Sequence, residues 1–507
     1  MTMSTDARTL KAWLHDAAEI ALLDVREHGQ YGESHLFFGV PLPYSRLELD
    51  VPRLVPRKRT RIVAYDDGML GVAQLAAQRL AEIGYGNVHV LEGGTAAWAR
   101  MGLMLYKGVN VPSKTFGEMV EHARHTPRIS AAQLAQMQRE GTPHVLLDGR
   151  PLAEFRKMSI PGATCCPNGE LAYRIGELVR DERTPIVVNC AGRTRSIIGA
   201  QTLIDLGIPN PVFALENGTQ GWYLADFALD HGAARAYPAV SAARDLSVER
   251  GRAGTLAARH GVRFVDDAQA QSWLDDEARS TYLCDVRTSE EFAQSTLHGA
   301  VHAPGGQLIQ ATDQWIGVRH GRILVFDSEG VRAPVVASWL RQMGHEAFVL
   351  QAGIASTVRA EPSAVPLPPI AEGEDARDAV VVDVRSSMAY RKAHVAGSLW
   401  SIRPRFGDIA AKVRDRDVLL VADEDGVARI AAHDLSRCGA RSVCRLRDAR
   451  LTESTPHEPP DDQCIDHLFF VHDRHDGNKD AARRYLAWET QLLSQLDADE
   501  RASFRLS

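Results

Sequence analysis

Cysteine is scarce in this chain: seven residues in 507, an odd number, and no two of them have the C-x-x-C spacing of a zinc knuckle or redox dithiol. That excludes a disulfide-built secreted scaffold and argues for a reducing compartment in which thiols are buried filler or reactive singletons. Long apolar runs are also missing. No stretch is long enough to cross a bilayer, and Met1 to Ala21 is mixed and charged, without the apolar centre of a signal peptide. The expectation is a cytoplasmic protein without a membrane partner. Positive charge is not in excess either: the net charge is −7, which argues against a general nucleic-acid binder. The histidines form no recognisable metal motif. His467, His472 and His475 lie close together with Asp473 and Asp476, but at spacings that match no ligand pattern, so no metal and no cofactor is expected.

What remains is an ordinary globular composition, 45% hydrophobic and 24% charged, in a chain long enough for three or four domains. The chain repeats. Apolar runs end in Asp24-Val-Arg26, Asp148-Gly-Arg150, Asp285-Val-Arg287 and Asp383-Val-Arg385. Each is followed by an aromatic-containing cluster: Gln30-Tyr31, Glu154-Phe155, Glu291-Phe292 and Ala389-Tyr390. In the last three copies a small turn comes next, at Ile160-Pro-Gly-Ala163, Leu297-His-Gly-Ala300 and Val395-Ala-Gly-Ser398. A second apolar run ends 42 positions after the aspartate at Asp66, Cys190 and Asp327, and 40 positions after it at Asp423. A Gly-containing loop and a helical pattern follow, closed by Gly84, Gly207, Gly344 and Gly439 as C-terminal caps. Strands alternating with helices predict parallel α/β sheets covered on both faces.

The units so defined span 5–107, 127–232, 258–358 and 368–450, with a C-terminal tail at 456–507. The segment 108–126 reads as a link within the first pair, and the charged stretch 233–257 as the divider between two halves. Glu361 to Pro369 reads as a stiff proline linker. In the tail, Asp480 to Leu496 has helical periodicity and reads as a helix docked on the last unit or on a second subunit.

Chemistry concentrates in Ile186-Val-Val-Asn-Cys-Ala-Gly-Arg-Thr-Arg-Ser196. A thiol at a strand end, under a turn of backbone N–H groups and beside two arginines, is in the surroundings that lower cysteine pKa values. Such a loop also forms an anion-binding nest, and functional loops of parallel sheets sit at the carboxyl ends of strands. Cys190 is therefore the candidate nucleophile for an anionic or sulfur-bearing substrate. Cys284, inside an apolar run, reads as core; Cys165 and Cys166 read as small packing residues, with a resolving pair as the alternative.

Together the Asp-x-Arg element, the loop at the end of a later strand and the Gly-x-x-x-Trp elements Gly94–Trp98 and Gly218–Trp222 resemble the rhodanese superfamily. The resemblance covers four tandem rhodanese-like modules. It is strong in the second, clear in the first and in the third, which lacks the Gly–Trp element, and weakest in the fourth. It implies an α/β fold, each module a mainly parallel central sheet flanked by helices, and sulfur transfer through a cysteine persulfide. Four residues separate Cys190 from Arg195, similar to the six-residue loop of rhodaneses; the related phosphatases use five, and Ser196 stands where they need arginine. Only the second module carries sulfur at the loop position; Asp66, Asp327 and Asp423 mark the other modules as structural, docking or pocket-forming. For the third module, an internal ion pair between Asp327 and Arg332 is expected.

The resemblance thus assigns Cys190 as the catalytic residue and Arg195, Arg193, Gly192, Ala191, Thr194, Ser196 and Arg150 to substrate binding, with Asp148 as the orienting residue through which Arg150 positions the loop, or the two as a purely structural pair. The partners implied are a small anionic sulfur donor and a thiol or cyanide acceptor, together with an acceptor protein or a second copy of the chain. The arginine-rich loop favours thiosulfate or a low-molecular-weight persulfide over mercaptopyruvate. A persulfide carrier or scaffold is the alternative.

Overall fold

The computed structural model describes residues 3–69, 71–241, 244–374, 378–475 and 477–506. The described residues form four five-stranded sheets, all parallel and all with the same strand order. In the second sheet that order is Arg128–Ile129, Val212–Leu215, Ile186–Asn189, Val145–Asp148, Thr164–Cys165. The central strands alternate between two apolar layers, as a period of two requires. Leu146 and Val187 enter one layer with Leu134, Phe155 and Trp222; Leu147, Ile186 and Val188 enter the other with Leu171, Leu203 and Val212.

The sequence signals map onto specific devices. Gly84, Gly207, Gly344 and Gly439 each follow a helix with φ between 68° and 96°, the left-handed turn that a helix C-terminus favours. Every Asp-x-Arg element closes the same staple. In the second module Arg150 Nε and Nη2 donate to the two oxygens of Asp148 at 2.9 and 2.7 Å, and Nη2 also donates to Met158 O. Arg26, Arg287 and Arg385 repeat it on Asp24, Asp285 and Asp383, each reaching a backbone carbonyl eight residues on from its own position, at Ser34, Ser295 and Ala393.

The division of the chain differs from the sequence reading. One compact unit contains residues 1–109 and 363–469, the first and fourth modules; the other contains 110–362 and 470–507, the second and third modules with the end of the tail. The stretch 233–257 therefore lies inside a unit. Its helix, Ser247–Arg259, packs against helix Arg332–Gln342 of the third module. The segment 108–126 is likewise more than a link. It forms the helix Val111–Arg124, which packs against helix Thr194–Asp205 of the second module. Gly117 permits that approach, because a Cβ there would stand 2.8 Å from Thr194 Cγ2. The boundary at Pro362–Ser363 falls in the proline-rich linker.

In the unit of the first and fourth modules, buried Arg403 donates to both oxygens of Glu48, at 2.6 and 3.0 Å, and to Tyr44 O. A guanidinium from one module thus satisfies a carboxylate and a carbonyl of the other. The tail also departs from expectation. Helix Lys479–Gln495 packs on helix Val111–Arg124 beside the second module rather than on the fourth. Among the described residues no helix is long and apolar enough to cross a membrane.

Candidate active site

Cys190 follows directly on the central strand Ile186–Asn189 and is 2% exposed. Helix Thr194–Asp205 starts four residues later, so the loop between them is a strand-to-helix turn at the carboxyl edge of the sheet. Ser196 Oγ donates to Cys190 Sγ at 3.2 Å. The loop is held from below by the Gly-x-x-x-Trp segment: Thr219 N and Oγ1 donate to Cys190 O at 2.7 and 2.9 Å, and Gln220 N donates to Ala191 O at 3.0 Å. Gly218 is required there. Its φ is +53°, and a Cβ would stand 2.3 Å from Cys190 O.

The same contact recurs at Gly94 against Asp66 O, and at Gly353 against Asp327 O. The third module therefore keeps the glycine of the Gly–Trp element and lacks only the tryptophan. Spacing hid it, because Gly353 lies 26 positions beyond Asp327 whereas Gly218 lies 28 beyond Cys190.

The aspartates in two sister loops are held by backbone N–H groups. Asp327 Oδ1 accepts from Gly330 N at 2.8 Å, and Oδ2 accepts from Val331 N and Ala333 N at 3.0 and 2.8 Å. Asp66 similarly takes the N–H groups of Gly68 and Ala73, at 2.7 and 3.0 Å. In both modules a carboxylate fills a nest of backbone N–H groups. Burial and the neighbouring Glu329 push the Asp327 carboxyl up, against the nest donors that favour its anion. The expected Asp327–Arg332 pair is not what forms, since Arg332 binds Glu329, Glu291 and Glu170 instead. In the fourth module Asp423 is exposed, and its loop is two residues nearer the Asp-x-Arg staple.

By register, the N–H groups of Arg193, Thr194 and Ser196 correspond to the donors around Asp327. Cys190 stands at the position that Asp327 holds in the third module.

The two loop arginines have different surroundings. Arg195 Nη1 and Nη2 donate to Glu154 at 2.8 and 2.7 Å, and Asn168 Nδ2 donates to Arg195 O at 2.8 Å. Nη1 is also 3.5 Å from Gln307 Oε1, contributed by the third module. Burial opposes the Arg195 charge, but Glu154, Cys190 and Asp148 outweigh it. Arg193 is placed otherwise than the sequence reading expected. Its guanidinium binds both oxygens of Glu118, at 2.7 and 2.9 Å, and also Glu121, all on helix Val111–Arg124, so its charge is spent in holding the loop to that helix. Arg150, 2% exposed, is committed to its staple. Asp148 adds a bond from Asn189 Nδ2, next to Cys190, at 3.1 Å. Burial pushes the Cys165 thiol up to about 12 and raises the Cys166 thiol well above its ordinary value, surroundings that keep both protonated. Cys284 is buried in its strand.

Sequence reasoning missed Glu154 as a partner of Arg195, and it missed Glu118, Lys114 and Glu489 around the loop. Among the described residues no group of acidic, histidine or cysteine side chains could hold a metal; Asp476 and the side chain of His475 lie outside them.

The Glu154–Arg195 pair has a counterpart in Glu291–Arg332, and both glutamates are held down at about 2. Burial works against that depression, and the paired arginine overcomes it. Their stabilisation is therefore complete above the ordinary value of 4.5 and fades as pH falls toward about 2. Urea midpoints should stay level from about pH 7 to 5 on this account and drop by about pH 3. Glu154→Gln should flatten that drop.

This is a six-residue loop from Cys190 to Arg195 on a parallel α/β module, repeated with aspartate at the cysteine position. The description "Rhodanese-like domain" matches residues 6–101, 130–225 and 266–360, more than half of the chain, and the chain belongs to the rhodanese family. The fourth sheet, with the same strand order, lies outside the matched residues. A crystal structure of a thiosulfate sulfurtransferase from Pseudomonas aeruginosa is similar over 100% of this chain and 99% of that one, with 36% identity and a TM-score of 0.92. A 3-mercaptopyruvate sulfurtransferase from Escherichia coli strain K12 is 27% identical over 201 residues, covering 32% of this chain and 69% of that protein.

Proposed function

We propose that the protein is a sulfurtransferase that takes sulfane sulfur from thiosulfate or a low-molecular-weight persulfide onto Cys190 and passes it to a thiol or cyanide. The observation that supports this reading is that Cys190 stands in register with Asp327 and Asp66, whose carboxylates sit in nests of backbone N–H groups. A loop that holds an anion in its unreactive copies is preorganised for the persulfide anion in its reactive one. The names of the Pseudomonas and Escherichia relatives support the same chemistry.

In the first step the Cys190 thiolate attacks the outer sulfur of thiosulfate. The new S–S bond forms as the old one breaks, and sulfite leaves with the bonding pair. The enzyme then carries a persulfide of the same charge as the thiolate. Cyanide or an acceptor thiolate attacks the terminal sulfur, giving thiocyanate or a new persulfide and restoring the Cys190 thiolate. Backbone N–H groups from Ala191 to Ser196 hold the anionic sulfur, Ser196 Oγ donates to Sγ, and Arg195 supplies positive charge for the donor and the departing sulfite. Arg193 and Arg150 hold the loop and its module.

Steady-state kinetics of the full chain with thiosulfate, 3-mercaptopyruvate and glutathione persulfide, each with cyanide, tests this. Turnover with thiosulfate or the persulfide at least about tenfold above mercaptopyruvate in kcat/KM is expected, a preference of about 1.4 kcal/mol at the transition state. Loading of one sulfur without turnover would instead assign the protein to the carrier reading.

A further inference from the structure

The loop after Cys190 has an inner face toward the sulfur and an outer face covered by two helices that lie outside the sheet-bearing modules, Val111–Arg124 and Lys479–Gln495. Glu489, from the second of these, is 1% exposed. Its Oε1 accepts from Thr194 Oγ1 at 2.9 Å and from Lys114 Nζ at 3.1 Å. Lys114 Nζ also donates to Tyr485 OH. Glu489 Oε2 has no hydrogen-bond partner among the described residues. It lies 2.8 Å from the point a Cβ on Gly192 would occupy, with Leu486 and Tyr485 close behind at 3.7 and 3.8 Å. Glu489 thus bonds the residue four places after the reactive sulfur and fills the space beside the glycine two places after it.

We propose that Glu489 is a positioning residue for Cys190: through its bond to Thr194 and its place beside Gly192, helix Lys479–Gln495 fixes the catalytic loop so that its N–H groups converge on the sulfur. The proposal rests on the sulfur-transfer reading and deepens it. Two observations separate it from ordinary packing. A buried carboxylate is costly where a leucine would fill the space, unless its hydrogen bonds do something specific. Here its bonds run to the first residue of the catalytic helix and to a lysine of a second covering helix. The consequence for rate is geometric. A cradle whose donors are already aligned needs no rearrangement as charge moves onto the persulfide, and a misplacement of about 1 Å costs on the order of 100-fold.

The test uses the full chain. Sulfur loading of Cys190 from thiosulfate is followed in single turnover by peptide mass, and alkylation of Cys190 by iodoacetamide is followed in parallel. Glu489→Ala should slow loading by about 10- to 100-fold, with the loss in kcat and a change in KM below about threefold. Glu489→Gln, which keeps an acceptor for Thr194 and Lys114, should recover loading to within about threefold of wild type. Thr194→Val combined with Glu489→Ala should be no slower than the slower single variant, because both remove one interaction. Should Glu489→Ala fail to fold, Glu489→Gln, Thr194→Val and their double variant carry the comparison. Loading at the wild-type rate in Glu489→Ala, multiplicative losses in the double variant, or a Gln variant as slow as Ala would overturn the proposal. So would faster loading, which would make the helix an inhibitory cover. If the wild type takes up no sulfur from any donor, the sulfur-transfer reading falls instead. A change of about tenfold in Cys190 alkylation between wild type and Glu489→Ala then still supports positioning, and an equal rate refutes it.

Discussion

Cys190→Ser should abolish sulfur transfer, and the mass gain of one sulfur atom after thiosulfate treatment should vanish with it. A serine oxygen is a poor nucleophile toward sulfane sulfur and cannot form a persulfide. The expected loss is at least about 1,000-fold in kcat, the scale on which removing a covalent nucleophile usually acts. The structure makes this variant informative because the fold should not notice it. The loop is held through Cys190 O by Thr219 and through Ala191 O by Gln220, neither of which involves the sulfur. Cys190→Asp extends the argument. The first and third modules already carry aspartate at this position with its carboxylate in the nest. That variant should be inactive yet unfold at a temperature no lower than Cys190→Ser. Transfer activity persisting in Cys190→Ser would move the chemistry elsewhere. The other second-module thiols, Cys165 and Cys166, are poorly placed to inherit it, since burial keeps both protonated.

Local chemistry was legible in the sequence, and long-range pairing was not. The Asp-x-Arg staple could be read because both partners sit two residues apart, and their geometry follows from the strand end they share. The strand-to-helix turn at Cys190 could be read because a strand, a short loop and a helix are consecutive. The helix-capping glycines were legible for the same reason. What could not be read is which modules share a unit. Glu48 and Arg403 are 355 positions apart, and nothing near either residue names the other. Charge alone also misassigned Arg193, since an arginine in an anion loop and an arginine tied to a neighbouring helix have the same local sequence. The tail did carry a signal. Tyr485, Glu489 and Leu492 stand at helical spacing on the apolar stripe, and a glutamate on a buried face asks for a cationic or hydroxyl partner. Lys114 and Thr194 supply both.

Arg332→Met should destabilise the unit of the second and third modules by about 3–5 kcal/mol, the scale for breaking a buried charge network from one side. Arg332 is fully buried and serves three carboxylates: Glu329 at 2.6 and 2.7 Å, Glu291 through two bonds of 2.7 Å, and Glu170 of the second module at 2.8 Å. Methionine fills much of the volume but leaves these acids facing one another. Arg174 retains Glu170, at 3.0 Å, while Glu291 and Glu329 lose their principal cation. The deficit should carry a pH signature. Unpaired buried carboxylates bind protons more readily in the folded than in the unfolded state, so the variant should recover stability as pH falls from about 8 to 5. Arg332→Lys should rescue only part of the loss, because one ammonium cannot reproduce the forked contacts to two carboxylates. The effect should also reach the reactive module. Glu170 follows Asn168 by two residues, and Asn168 holds Arg195 O beside the sulfur loop. A fall in kcat for Arg332→Met under conditions where the protein remains folded would give the third module a function its own loop lacks: it cannot carry sulfur, but its arginine anchors the segment that holds the catalytic loop. Urea unfolding at the two pH values, with turnover measured alongside, checks both halves. Unchanged stability in Arg332→Met would mean that the three acids can be satisfied without the guanidinium.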